Sequence, residues 1–109
     1  MAPTVERRHI ERHRTLLGGV LVHGPGCLTV DCRVRDLSDA GAQLKTISAV
    51  LVQAPTGLLI PSLHRASLVA VDWQRGPSLG LHFRQEVDVR APTTEEPERT
   101  MQRIAQGRG

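Results

Sequence analysis

Aromatic side chains are almost missing from this chain: Trp73 and Phe83 are the only two in 109 residues, and there is no tyrosine. A core must therefore come from Leu, Val, Ile and Ala. A surface that stacks successive nucleic-acid bases on aromatic rings has too few platforms to form. Cysteine is scarce as well. Cys27 and Cys32 are too few for a disulfide framework or a zinc site. Five residues apart, they would fall on opposite faces of one extended strand, and they read as free thiols in a reducing compartment. Lysine is nearly absent: Lys45 is the only one among 14 Lys and Arg residues, a bias that a GC-rich genome accounts for. No stretch approaches the roughly 18–20 apolar residues of a membrane span. The first residues are charged and carry no apolar signal region, so the expectation is a soluble, cytoplasmic protein.

What is present is one domain's worth of chain, 39% hydrophobic, with a net charge of +3 that permits anionic partners without requiring one. Residues 14–23 are strand-like. Leu16, Gly18, Val20 and Val22 share one parity, and Gly18-Gly19 suggests a bend or bulge. Gly24-Pro25-Gly26 is a turn. Leu28, Val30, Cys32 and Val34 then alternate with Thr29, Asp31, Arg33 and Arg35, the clearest amphipathic strand in the chain. Residues 42–45 read as a short strand. Residues 47–53 are a further apolar run, closed by the turn Ala54-Pro55-Thr56-Gly57. Residues 58–60 lead to Pro61, which marks an edge or a strand end. Residues 65–74 and the alternation Leu79, Leu81, Phe83 flank the turn Arg75-Gly76-Pro77-Ser78. Short strands with turns every 8–12 residues or so indicate an antiparallel sandwich or barrel.

From Val89 the character changes. Ala91-Pro92-Thr93-Thr94-Glu95-Glu96-Pro97 supplies a threonine cap, acids and a first-turn proline for a helix. A helix over 94–106 has only Met101, Ile104 and Ala105 as an apolar face, which predicts weak docking or partial disorder. The expected organisation is a flexible arginine-rich arm over 1–13, a β-barrel over 14–90, and a C-terminal helix and tail over 91–109.

Two polar clusters carry the chemistry. One is Arg7-Arg8-His9-Ile10-Glu11-Arg12-His13-Arg14; the other is the loop Asp36-Leu37-Ser38-Asp39-Ala40-Gly41. A hairpin between them brings its start and its exit side by side. Arginine forks beside a carboxylate, a hydroxyl and backbone groups suit a phosphate-bearing nucleotide. Arginine also pairs with guanine O6 and N7 or stacks its flat guanidinium on a base. Asp36 can accept from guanine N–H groups or orient an arginine. Ser38 can donate to a ligand or cap the loop. Gly41 can supply a positive φ or room for a base.

Arg8-x-x-x-Arg12 followed by Asp36-x-Ser38-x-x-Gly41, with Val71-Asp72-Trp73 and Leu79-Gly80-Leu81-His82-Phe83 downstream, resembles the PilZ domain. Residues 14–19 and 31–38 are similar to the short, stand-alone PilZ proteins of alphaproteobacteria. The resemblance covers roughly residues 6–84. It implies a six-stranded antiparallel β-barrel that binds cyclic di-GMP, with the arginine segment a flexible lead-in that wraps over the ligand. Arg8 and Arg12 match the motif arginines, Arg7 an extra arginine often found before them, and Asp36, Ser38 and Gly41 the loop motif. The implied protein is not an enzyme and needs no cofactor beyond its ligand. It signals to a downstream protein such as a flagellar, polysaccharide or regulatory target.

Each cluster also has a plainer reading. Residues 7–14 alone are a solvated basic arm, and residues 36–41 alone a turn in which Asp and Ser bond their own backbone. Glu11 is placed to pair with a motif arginine. His9 and His13 read as companions of the arginines; His23, His64 and His82 have no metal-ligand spacing. Trp73 reads as core or rim packing before it reads as a stacking platform. No catalytic constellation stands out. A barrel of this type that serves only as a protein-interaction module, without nucleotide, is the alternative. Specific nucleic-acid binding is not expected.

Overall fold

The computed structural model describes residues 13–47 and 49–108. Six strands run in sequence: β1 His13–His23, β2 Leu28–Leu37, β3 Gly41–Thr46, β4 Thr56–Ile60, β5 Arg65–Arg75 and β6 Ser78–Val87, followed by the helix α1 Glu98–Arg108. They close in the order β1-β2-β3-β6-β5-β4, every neighbour antiparallel. The fold is thus a closed six-stranded antiparallel barrel with one C-terminal helix. Closure gives every strand a neighbour on both sides, so the barrel has no edge strand.

The alternation in β2 does what a period of two predicts: Cys32 and Val34 are buried while Asp31, Arg33 and Arg35 face solvent. Inside the barrel Leu21, Val34, Leu44, Leu58, Ile60, Leu79 and Leu81 pack together, an almost wholly aliphatic core. The hairpin β1–β2 turns at residues 24–27, where Gly24 and Cys27 take positive φ (79° and 52°). Cys27 therefore sits in the turn rather than on the strand with Cys32. The step between β1 and β2 that the twin glycines suggested falls just before them, between Arg14 and Leu17.

β4 is buried on both faces. One face looks into the barrel. The other, with Val20, Val22 and Ala66, lies under α1, where Met101 is fully buried. Gly57 makes that docking fit, since a Cβ there would stand 2.7 Å from Met101 Cε. The helix packs more firmly than its sparse apolar face predicts, because one methionine fills a notch cut for it. It also starts later than expected, at Glu98 rather than near Thr94. Thr93 Oγ1 accepts from Glu95 N (3.0 Å) instead of capping the helix. The Glu96 carboxylate takes up the N–H and hydroxyl of Thr100 at 3.0 and 2.8 Å.

The described part of the apolar run, Ile47 and residues 49–53, is not a strand but part of the connection from β3 to β4, in which Val52 is buried while Ile47 and Leu51 are 81% and 72% exposed. The Gln74 side chain ties it to β5 by accepting from Val52 N (3.2 Å) and donating to Val50 O. Pro61 marks a strand end, not an edge: β4 pairs with β1 on one side and β5 on the other. Among the described residues no helix is long and apolar enough to cross a membrane.

Candidate functional site

The hairpin register brings the start of β1 to the Asp/Ser/Gly loop. His13 pairs with Leu37, and Arg14 pairs with Asp36. The residue covalently preceding this pairing is Arg12. Arg7, Arg8 and Arg12 themselves lie outside the described residues, as do His9 and Glu11.

Ser38 is committed to its own loop. Its Oγ accepts from the backbone N–H groups of Ala40 and Gly41, both at 3.2 Å, and donates to Gly41 O at 3.3 Å. The Ser38 N–H donates to Gly41 O at 2.9 Å, and Ala40 O accepts from Phe83 N at 2.9 Å, which moors the loop to β6. Of the two roles open to Ser38, capping the loop is the one its bonds fill. Of the expected reasons for a glycine at 41, a positive φ does not apply. Its φ is not positive; only Gly24 and Gly76 are so among the described glycines. A Cβ on Gly41 would stand 2.0 Å from Leu81 O and 2.9 Å from His82 Cα. The β6 backbone passes too close for any side chain.

This loop forms one wall of a cavity of about 180 Å³ on the outer face of the barrel, whose lining includes Asp36, Gln43, Asp72, Trp73, Gly80 and His82. The floor is a single row across the sheet: Asp36 pairs with Gln43, Gln43 with Gly80, and Gly80 with Trp73. Two irregularities shape it. The β2–β3 register shifts between Val34 and Asp36, and the β5–β6 register between Val71 and Trp73. The second leaves Asp72 as the extra residue, and bulges of this kind re-aim a side chain. Asp72 Oδ1 reaches His82 Nδ1 at 2.6 Å.

Trp73 is packing and surface at once. Its indole covers Gly80, where a Cβ would collide with Nε1 at 2.1 Å, yet Trp73 remains 39% exposed beside the cavity. The Arg75 guanidinium stands 5.7 Å from its ring centroid, within the range of a cation–π contact. Gln43, Asp72, Gly80 and His82 were not singled out by sequence patterning as site residues. The one signal available was the pairing of a tryptophan with a glycine across the Arg75–Ser78 turn, which places an aromatic over a bare backbone.

Chemically, the described lining offers two carboxylates, an amide and an imidazole, with no lysine or arginine. It suits a hydrogen-bond donor edge and a flat ring rather than a phosphate. At about 180 Å³ it is smaller than the roughly 300–1,000 Å³ usual for a whole ligand. Compared with protein-family models and with curated proteins, the chain matches none.

Proposed function

We propose that this protein is a cytoplasmic bacterial receptor for cyclic di-GMP, built on a barrel of the PilZ type, and that it acts as a switch rather than an enzyme. The observation that supports this reading is the register of β1 on β2. It pairs His13 and Arg14, the residues that follow Arg8-x-x-x-Arg12 in the sequence, with Leu37 and Asp36 at the start of the Asp36-x-Ser38-x-x-Gly41 loop, beside a cavity floored by Gly80 and flanked by Trp73.

The division of labour follows from the chemistry. Asp36, Asp72 and Gln43 are acceptors for the N–H edge of a guanine. Trp73 presents part of its ring to a base. The phosphates find no cation in the described lining, so Arg7, Arg8 and Arg12 are the groups that neutralise them in this reading. Charge-assisted hydrogen bonds of about 1.5–3 kcal/mol each suffice for micromolar affinity after the ordering of a segment is subtracted. The ligand moves the protein toward its closed state only by binding that state more tightly.

Isothermal titration of cyclic di-GMP into the protein, with GTP as control, tests this. Saturable, selective heat is expected, and its stoichiometry reads one ligand against a stacked pair. Arg8→Ala and Arg12→Ala should each abolish or severely weaken it while leaving the barrel folded. Equal binding by both variants sinks the site assignment. A second reading, a barrel that only engages a protein partner, is favoured by the exposure of Ile47 and Leu51. It expects no heat with the nucleotide.

A further inference from the structure

One row further along the same outer face lies a line of cations. Gly18 pairs with Arg33, Arg33 with Lys45, Lys45 with Ser78, and Ser78 with Arg75. Arg33, Lys45 and Arg75 are all exposed; Arg33, Arg35 and Lys45 line one depression, and Arg75 stands beyond it at the far end of the row. None of the four makes an ion pair among the described residues. Gly18, at the end of the row, has open space where a Cβ would be, so the surface there is a trough rather than a ridge. The trough encloses about 600 Å³ and has a single carboxylate, Asp31, in its lining. Ile47 lines it too, 81% exposed.

We infer that this row is a docking surface for an extended acidic segment of a protein partner, with an apolar side chain of that segment seated on Ile47. The length of the row and the sign of its charge carry the argument, with Ser78 and not a cation in its third place. From Arg33 to Arg75 is three strand intervals, about 14 Å at roughly 4.8 Å each. Carboxylates at positions i, i+2 and i+4 on one side of an extended chain span about the same length, at roughly 3.4 Å per residue. Three cations in line, with no balancing acid between them, are complementary to such a segment and to little on a neutral one.

A phosphate backbone offers negative charge as well, but it has no use for Ile47. Single-stranded nucleic acid wants aromatic platforms in series, and this face has Trp73 alone, packed on Gly80 with Arg75 at its ring. The apolar member of the trough therefore selects a peptide. The inference goes beyond the nucleotide reading and does not depend on it. The two surfaces meet at Arg75 and Trp73.

The test uses the full chain and a labelled synthetic peptide in which glutamate alternates with valine, followed by fluorescence anisotropy at low and at physiological salt. Exposed ion pairs are screened, so binding should weaken as salt rises. Lys45→Glu and Arg33→Glu should each lower affinity by roughly tenfold, and Ile47→Asp by a similar factor. Arg90→Glu makes the same charge change at an exposed site off the row and should leave binding within about twofold of the parent. Circular dichroism confirms that each variant is folded. No binding, or equal loss in Arg90→Glu, overturns the inference. So does tighter capture of a single-stranded oligonucleotide than of the peptide. Self-association that the Lys45→Glu change abolishes would also overturn it, in favour of a second copy. Cyclic di-GMP titrated into the same variants reports on the neighbouring cavity separately, so failure of one reading is distinguishable from failure of the other.

Discussion

Trp73 covers Gly80, its directly paired neighbour on the next strand, so closely that a Cβ on Gly80 would be 2.1 Å from the indole nitrogen. An aromatic over a glycine in a sheet covers a bare stretch of backbone and fixes the ring's position. That contact decides where the indole of the candidate site stands.

Gly80→Ala should therefore push the indole off the floor. Trp73 is partly exposed and can swing outward, so the stability loss should be at the low end of overpacking, about 1 kcal/mol. Trp73 is the sole tryptophan, so intrinsic fluorescence reads its displacement without ambiguity. A red-shifted emission and at least a tenfold weaker response to cyclic di-GMP are expected. An unchanged spectrum means that the ring is not held by Gly80.

Gly41→Ala should be worse, and for a different reason. The clash is with backbone, Leu81 O at 2.0 Å and His82 Cα at 2.9 Å, and backbone cannot rotate away. A loss of about 3 kcal/mol, at the upper end of overpacking, is expected in urea denaturation. Gly18→Ala, with nothing within 4 Å of its Cβ, is the matched control and should change stability by less than about 0.5 kcal/mol. Equal effects at the two positions would mean that β3 and β6 are not so close.

Much of this was legible in the sequence, and the parts that were not have a common cause. The amphipathic β2 and the Gly-Pro turns are local patterns, and local patterns predict strands. The start of β1 meets the Asp36–Gly41 loop because a hairpin must return, while residues 7–12 lie outside the described residues. The role of Gly41, by contrast, is set by β6, some forty positions on in the sequence, so no local rule could distinguish it from a turn glycine. Asp72 reaches His82 only because β5 slips by one residue between Val71 and Trp73. Bulges leave no reliable trace in composition. Residues 47–53 looked like a strand because they are apolar, but apolarity there faces solvent at Ile47 and Leu51. The firm docking of α1 was hidden because it depends on one methionine meeting the notch at Gly57.

The two cysteines should differ sharply in reactivity. Burial, assisted by the neighbouring Asp31 carboxylate, pushes the Cys32 thiol up to about 12, so thiolate is essentially absent at neutral pH and the group is inert. Cys27 is half-buried in the hairpin turn. A maleimide at neutral pH should add once to the folded protein, at Cys27, and twice only after denaturation. Mass spectrometry of the native adduct checks this. Labelling of Cys32 in the folded state would mean that the barrel opens readily along β2.

The C-terminal helix should come loose in acid before the barrel does. The Thr100 hydroxyl beside Glu96, aided by the Thr100 N–H, the Cys27 thiol and Arg103, holds the Glu96 carboxyl below its ordinary 4.5, while burial opposes the shift. A carboxyl whose folded value is depressed stabilises the fold at pH above its unfolded value. That contribution is lost as pH falls through the lower folded one. The group is exposed, so solvent screening keeps the effect small. The helix's other hold is Met101, buried against Val20, Val22, Leu59 and Ala66 with Ile104 and Ala105 beside it, and none of these contacts titrates in this range. Hydrogen exchange followed from about pH 6 down to about pH 3 should show residues 98–106 losing relative protection first, against the intrinsic rates at each pH. Glu96→Gln cannot titrate and should give protection in the helix that is lower at neutral pH and nearly independent of pH over that range. If the parent helix and barrel lose protection together, the Glu96–Thr100 contact is not what couples α1 to pH.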